Sequence, residues 1–82
     1  MLHQWKVRGL NKVMTENYET VKEVEDLHEA SAISLALDMV QKDGIQLAQI
    51  IRPDSSIFGY FKVQFGHNYN EAYEDVVFLS TV

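Results

Sequence analysis

One stretch limits the fold more than any other. Residues 30–40 read Ala-Ser-Ala-Ile-Ser-Leu-Ala-Leu-Asp-Met-Val, and only Ser31, Ser34 and Asp38 are polar. With Gln41 they recur at i, i+3, i+7 and i+10, a narrow polar stripe on an otherwise apolar helix. An ordinary surface helix buries about a third of its circumference. This one has more apolar surface than one sheet face covers. Just before it, Asp26-Leu27-His28-Glu29 has the spacing of a capping box. The helix is therefore expected over residues 27 to 42 or 43, with Asp26 as N-cap and Gly44 as its stop.

The rest of the chain reads as strands. Residues 2–10 alternate, with Trp5, Val7, His3 and Gly9 on one face and Gln4, Lys6 and Arg8 on the other. Residues 11–17 read as a connection. Residues 18–25 fit a helical stripe through Tyr18, Val21 and Val24. They also fit a strand with a bulge, because Val21 and Val24 have opposite parity. The strand is preferred, since a helix start follows at once. Residues 45–52 are apolar on both faces and make a third strand, ended by the turn Pro53-Asp54-Ser55-Ser56. In residues 57–65, Ile57, Phe61, Val63 and Phe65 point one way, and Phe58, Tyr60, Lys62 and Gln64 the other. Residues 66–70 read as a loop, 71–75 as a short helical turn, and 76–81 as a last strand apolar on both faces.

These elements give one two-layer α+β domain over residues 1–82, in the order β-β-α-β-β-β. One mainly antiparallel sheet of about five strands carries one long helix on one face. Nothing in the chain is left to cover the other face. At 82 residues the core is modest, and a deep pocket with a separate lid is not expected.

Charge and composition narrow the function. The net charge is −5, which argues against duplex DNA as a partner. Residues 1–12 carry +3, residues 13–29 carry −5 and residues 30–82 carry −3. If the first two strands pair antiparallel, opposite charges face each other. An acidic patch meeting a basic partner is the alternative. There is no cysteine, hence no disulfide and no thiolate chemistry. No apolar run is long enough to span a bilayer and no signal-peptide pattern opens the chain, so a cytoplasmic protein off the membrane is expected.

No catalytic constellation stands out. His3, His28 and His67 lie far apart and outside any HExxH pattern, so neither metal nor cofactor is expected. There is no GxSxG elbow. His67 with Asp75, or an acid–base role for Glu71, Glu74 or Asp75, has no supporting pattern. The four glycines are isolated, so no phosphate loop exists. A non-enzymatic protein is expected.

Two resemblances bear on this. Gly59-Tyr60-Phe61-Lys62-Val63-Gln64-Phe65 resembles the second signature strand of the RNA-recognition motif. It departs from it at Lys62, where a stacking aromatic is expected, at Phe61, where a small residue is expected, and in the order of elements. Trp5-Lys6-Val7, followed by Val21-Lys22-Glu23-Val24-Glu25-Asp26-Leu27-His28-Glu29-Ala30, resembles the opening half of small phage and prophage accessory domains of β-β-α-β pattern. That resemblance implies a compact viral or bacterial accessory protein that acts by binding, such as an inhibitor of a host system. It implies no site residues.

The candidate surface is the sheet face away from the helix. Lys6, Arg8, Phe58, Tyr60 and Lys62 would make it aromatic and basic, fit for a protein partner or for a small anionic ligand such as a nucleotide. His67, Tyr69 and Tyr73 form a second candidate cluster. The surplus of apolar surface predicts a homodimer or higher oligomer, with Phe58 and Tyr60, or Leu35 and Met39, in the contact. Ile33 and Leu37, four apart, are the expected core face of the helix.

Overall fold

The computed structural model describes residues 4–12, 17–68 and 71–80, and for residues 65–68 and 71–74 it describes the backbone alone. The elements are β1 (Trp5–Lys12), β2 (Tyr18–Leu27), α1 (Glu29–Gln41), β3 (Leu47–Ile51), β4 (Ile57–Asn68) and β5 (Glu71–Ser80). They form one antiparallel five-stranded sheet in the order β2-β1-β3-β4-β5, with α1 against one face. The two-layer α+β fold expected from the sequence is the fold observed.

β1 and β2 pair as their charges require. Lys6 Nζ lies 3.4 Å from Glu25 Oε1, and the Arg8 guanidinium donates to Glu23 Oε2 at 3.0 Å. β2 keeps this register only by bulging twice, between the partners of Trp5 and Val7 and between those of Gly9 and Leu10. The second bulge leaves Val21 without a partner in β1 and 52% exposed, while Val24 stands opposite Val7. Their opposite parity is thus resolved by a bulge.

The start of the helix differs from expectation. Asp26 is not the N-cap: it belongs to β2, sits at φ 59° and forms the other bulge. Leu27 continues the strand opposite Trp5. The N-cap is His28, whose side chain makes no capping bond. Its carbonyl accepts the first helical bond, from Ala32 N–H at 2.8 Å. Cross-strand pairing of Leu27 with Trp5 outweighs the local capping preference, and Asp tolerates the left-handed conformation better than most residues. The other end is as expected. Gly44 at φ 70° turns the chain, and Ile45 N–H reaches the carbonyl of Met39 at 3.1 Å.

The helix face that is fully buried is made of Ala32, Ala36, Met39 and Val40. Ile33 and Leu37 are only half-buried, so the expected core pair flanks the contact instead of filling it. Small side chains let the helix lie close to the sheet. Gly9 permits the same approach from below, since a Cβ there would stand 2.9 Å from Ile45 Cδ1. Val7, Ala48 and Ile50 complete the core under the helix.

The turn after β3 is held by its own side chains. Ser55 N–H donates to Arg52 O at 2.9 Å around Pro53 and Asp54, and Asp54 Oδ1 accepts from the Ser56 N–H and hydroxyl at 2.9 and 2.6 Å. These bonds hold the Asp54 carboxyl below its ordinary pKa, the Ser56 hydroxyl contributing most.

Two expectations past residue 65 are also corrected. Residues 66–68 of the expected loop and residues 71–75 of the expected helical turn are strand, and residues 69–70 lie outside the described residues. β4 and β5 pair without a register break from Gly59↔Ser80 to Asn68↔Glu71. The ladder satisfies every second backbone group against β4, which a lone helical turn would leave to water.

Candidate functional site

Residues that pair directly across an antiparallel sheet share a face. On the face away from the helix this places Arg8, Gln49, Tyr60 and Leu79 in one row, and Leu10, Leu47, Lys62 and Val77 in the next. Lys6, Ile51 and Ile57 follow. Ile51 is 6% exposed yet lies outside the core cluster, and the others are half-buried. The face thus mixes Leu10, Leu47, Ile51, Ile57, Val77 and Leu79 with the polar Gln49, Tyr60 and Lys62, and has the Lys6–Glu25 and Arg8–Glu23 pairs along the β2 side.

Of the expected surface, Tyr60 and Lys62 lie on this face, two residues apart on β4. Lys6 and Arg8 lie there as well, but each is matched by a carboxylate. Their charge toward an anion is largely cancelled, although exposed pairs of this kind add at most about 1 kcal/mol to stability. Phe58 is on the opposite face. β4 bulges between the partners of Ile50 and Ile51, which sets Ile57 opposite Ile51 and turns Phe58 toward the helix side. There its ring meets Trp5 edge-on at 5.6 Å and Phe78 at 5.7 Å, and the Arg52 guanidinium stands 5.2 Å from its centre. The signal was present in the sequence: Ile57 and Phe58 are both large and apolar, so strict alternation could not bury both.

Phe78 was not singled out from the sequence. Its ring completes a row with Phe58 and, at 5.0 Å, Phe61, and it lies over Gly59. It remains 40% exposed. Leu35 packs half-buried against the core, and Met39 is fully enclosed within it. His67 pairs opposite Ala72 and Tyr73 opposite Gly66 on the β4–β5 hairpin. Tyr69 and His3 lie outside the described residues.

Beyond the start of β3, β1 and β4 continue without a strand between them. A cavity of about 320 Å³ opens there, lined by Lys12, Tyr18, Val40, Gly44, Ile45, Gln46, Lys62 and Val63. No carboxylate lines it. Gln46 is fixed in place: its Oε1 accepts from Lys12 N–H at 2.5 Å, and its own N–H donates to Asn11 Oδ1 at 2.9 Å. Its carboxamide NH2 is left to donate. The polar lining therefore consists of two ammonium groups, an amide donor and the Tyr18 hydroxyl over an apolar floor.

A second cavity, of about 270 Å³, is lined by Gln4, Lys6, Glu25, Asp26, Ile51, Arg52, Pro53 and Ser55 and carries both signs of charge. Among the described residues no three His, Asp or Glu side chains gather as metal ligands would. No helix among them is long and apolar enough to cross a membrane. Comparison of the chain with family models, with curated proteins and with solved structures gives no match.

Proposed function

We propose that this chain is a small non-enzymatic binding domain that self-associates and docks a partner protein on its open sheet face, in the cytoplasm. One observation carries the reading: Leu10, Leu47, Ile51, Val77 and Leu79 stand with Tyr60 among the polar Lys6, Arg8, Gln49 and Lys62 on one face, and no element among the described residues covers it. Uncovered apolar patches of several side chains mark docking sites on small proteins. Lys6 and Arg8 are already matched by Glu25 and Glu23, which favours a protein surface over a phosphate on that side of the face. The chain has a net charge of −5, so the fitting partner is an apolar surface with a basic rim. The resemblance to phage and prophage accessory domains points the same way, toward occupation of a bacterial host protein.

The test is a paired capture. Wild type and Tyr60→Glu are immobilised after both are shown folded by circular dichroism. A partner that binds wild type, is released by salt and is lost with Tyr60→Glu supports the reading. Equal capture by both variants refutes it.

A second reading has its own observation. The lining around Lys12, Lys62, Gln46 and Tyr18, which has two ammonium groups and no carboxylate, suits a small anion with an apolar part, a nucleotide among them. Amide shifts of Gly44 and Gln46 on titration with ATP and with octanoate, abolished in Lys12→Met/Lys62→Met, would support it. Saturating either probe without those shifts would refute it.

A further inference from the structure

An open sheet has two edges, and here they are built in opposite ways. β2, at one edge, carries Glu19, Glu23, Glu25 and Asp26 and is broken by two bulges. Charges and bulges both keep a second strand from pairing. The charges also oppose self-pairing. Two β2 strands aligned antiparallel about any of residues 21–24 set Glu against Glu or Lys22 against Lys22. β5, at the other edge, holds one unbroken register with β4, and residues 76–80 carry no charge. At the centre of that uncharged run stands Phe78, the exposed end of an aromatic row that begins at Trp5.

We propose that β5 pairs antiparallel with β5 of a second copy, about a two-fold axis through Phe78, joining the two sheets into one. This deepens the self-association in the reading above and does not depend on what docks on the open face. A two-fold axis normal to a sheet makes each residue face one on the same side, so the axis must pass through a residue. Asp75 Oδ1 accepts from the Val76 N–H at 2.9 Å, which places that N–H on the outer side of β5. Phe78, two residues on, then also presents its backbone donor and acceptor outward. An axis through Phe78 lets the two Phe78 residues exchange both backbone hydrogen bonds. It sets Val77 against Leu79 of the second copy and no acid opposite an acid. The aromatic row then runs on into its counterpart, and the Phe78 ring loses its exposure.

The chain has no cysteine, so introduced ones report cleanly. Paired Cα atoms in such a ladder stand about 4.5–5.5 Å apart, within the disulfide range of about 4.4–6.8 Å. Under mild oxidation Phe78→Cys is expected to form a covalent dimer at least tenfold faster than Val21→Cys on the β2 edge. Because Phe78→Cys removes a packed ring, a second arm leaves Phe78 in place. A mixture of Val77→Cys and Leu79→Cys chains should form the mixed dimer faster than either forms its own. Cross-linking no faster than Val21→Cys in both arms overturns the proposal. If wild type still sediments as a dimer, only the edge is wrong. If it sediments as a monomer at micromolar concentration, the self-association is wrong as well.

Discussion

Gly59 offers the sharpest test of how β4 and β5 pack. A Cβ built there would stand 2.5 Å from Phe78 Cζ, 2.9 Å from Phe78 Cε1 and 2.8 Å from the carbonyl oxygen of Leu79. All three are closer than real Cβ contacts, and the third is backbone, which a rotamer change cannot relieve. Gly59→Ala must therefore displace the Phe78 ring and separate β4 from β5 locally. Overpacking of this kind costs about 1–3 kcal/mol. The loss of glycine's excess freedom in the unfolded chain returns about 0.5–1 kcal/mol. The net expectation is a destabilisation of about 1–2 kcal/mol. For a domain of this size each kilocalorie lowers Tm by about 4–8 °C. Urea unfolding followed by Trp5 fluorescence reads the change in midpoint at constant slope. The double variant Gly59→Ala/Phe78→Ala should show coupling, since removing the ring removes two of the three clashes. A neutral or stabilising Gly59→Ala would refute the reasoning, because that is how a strand glycine in open space behaves.

Three further outcomes follow from the same structure. Asp26→Gly should stabilise by up to about 1 kcal/mol, because φ 59° suits a residue without a Cβ, and Asp26→Ala should destabilise, because Asp tolerates that conformation better than Ala; an N-cap would instead lose a few tenths with glycine in the same unfolding assay. Met39→Ala should cost about 2–5 kcal/mol, and Leu37→Ala clearly less, since Met39 is fully enclosed and Leu37 only half-buried. The Asp54 carboxyl should titrate below the usual aspartate range by NMR and move back toward it in Ser56→Ala; its contribution to stability is present at neutral pH and is lost as pH falls through the lowered pKa.

What the sequence made legible was whatever rested on pairing between neighbours in the chain. The opposite charges of residues 1–12 and 13–29 anticipated the β1–β2 ladder, and Val21 and Val24 anticipated a bulge. Gly44 marked the helix end because only a positive φ turns the chain there. The failures share a cause. Asp26 has both the identity and the spacing of a cap, yet Leu27 stays extended because Trp5 stands across from it. Phe58 changed faces because β3 and β4 slip by one residue between Ile50 and Ile51, a displacement set by the neighbouring strand. Glu71-Ala72-Tyr73-Glu74-Asp75 has helical composition but gains a full ladder against β4. In each case a contact distant in sequence overruled a local preference. The candidate surface was half legible for the same reason: Tyr60 and Lys62 keep their parity, while Lys6 and Arg8 face carboxylates that only the β1–β2 register could identify.

The two surfaces proposed for binding follow from the dimensions of the fold. Five strands about 4.8 Å apart place the outer strand axes about 19 Å from each other, whereas one helix with its side chains is about 10 Å wide. A single α1 therefore cannot cover the sheet even on its own side. It lies over β1 and β3, where Val7, Gly9, Ala48 and Ile50 are buried, and the helix side of β5 is left with Phe78 at the margin. β2, at the opposite margin, is left equally bare, but it meets water with carboxylates and bulges. β5 meets it with Val76, Val77, Phe78 and Leu79. One sheet with one helix thus has a shortage of cover that composition could relieve at either edge, and this chain relieves it at only one. The unrelieved edge and the uncovered face meet at Val77 and Leu79. Edge pairing would therefore double the open face into a single continuous surface, presenting a partner with two copies of the Tyr60 row.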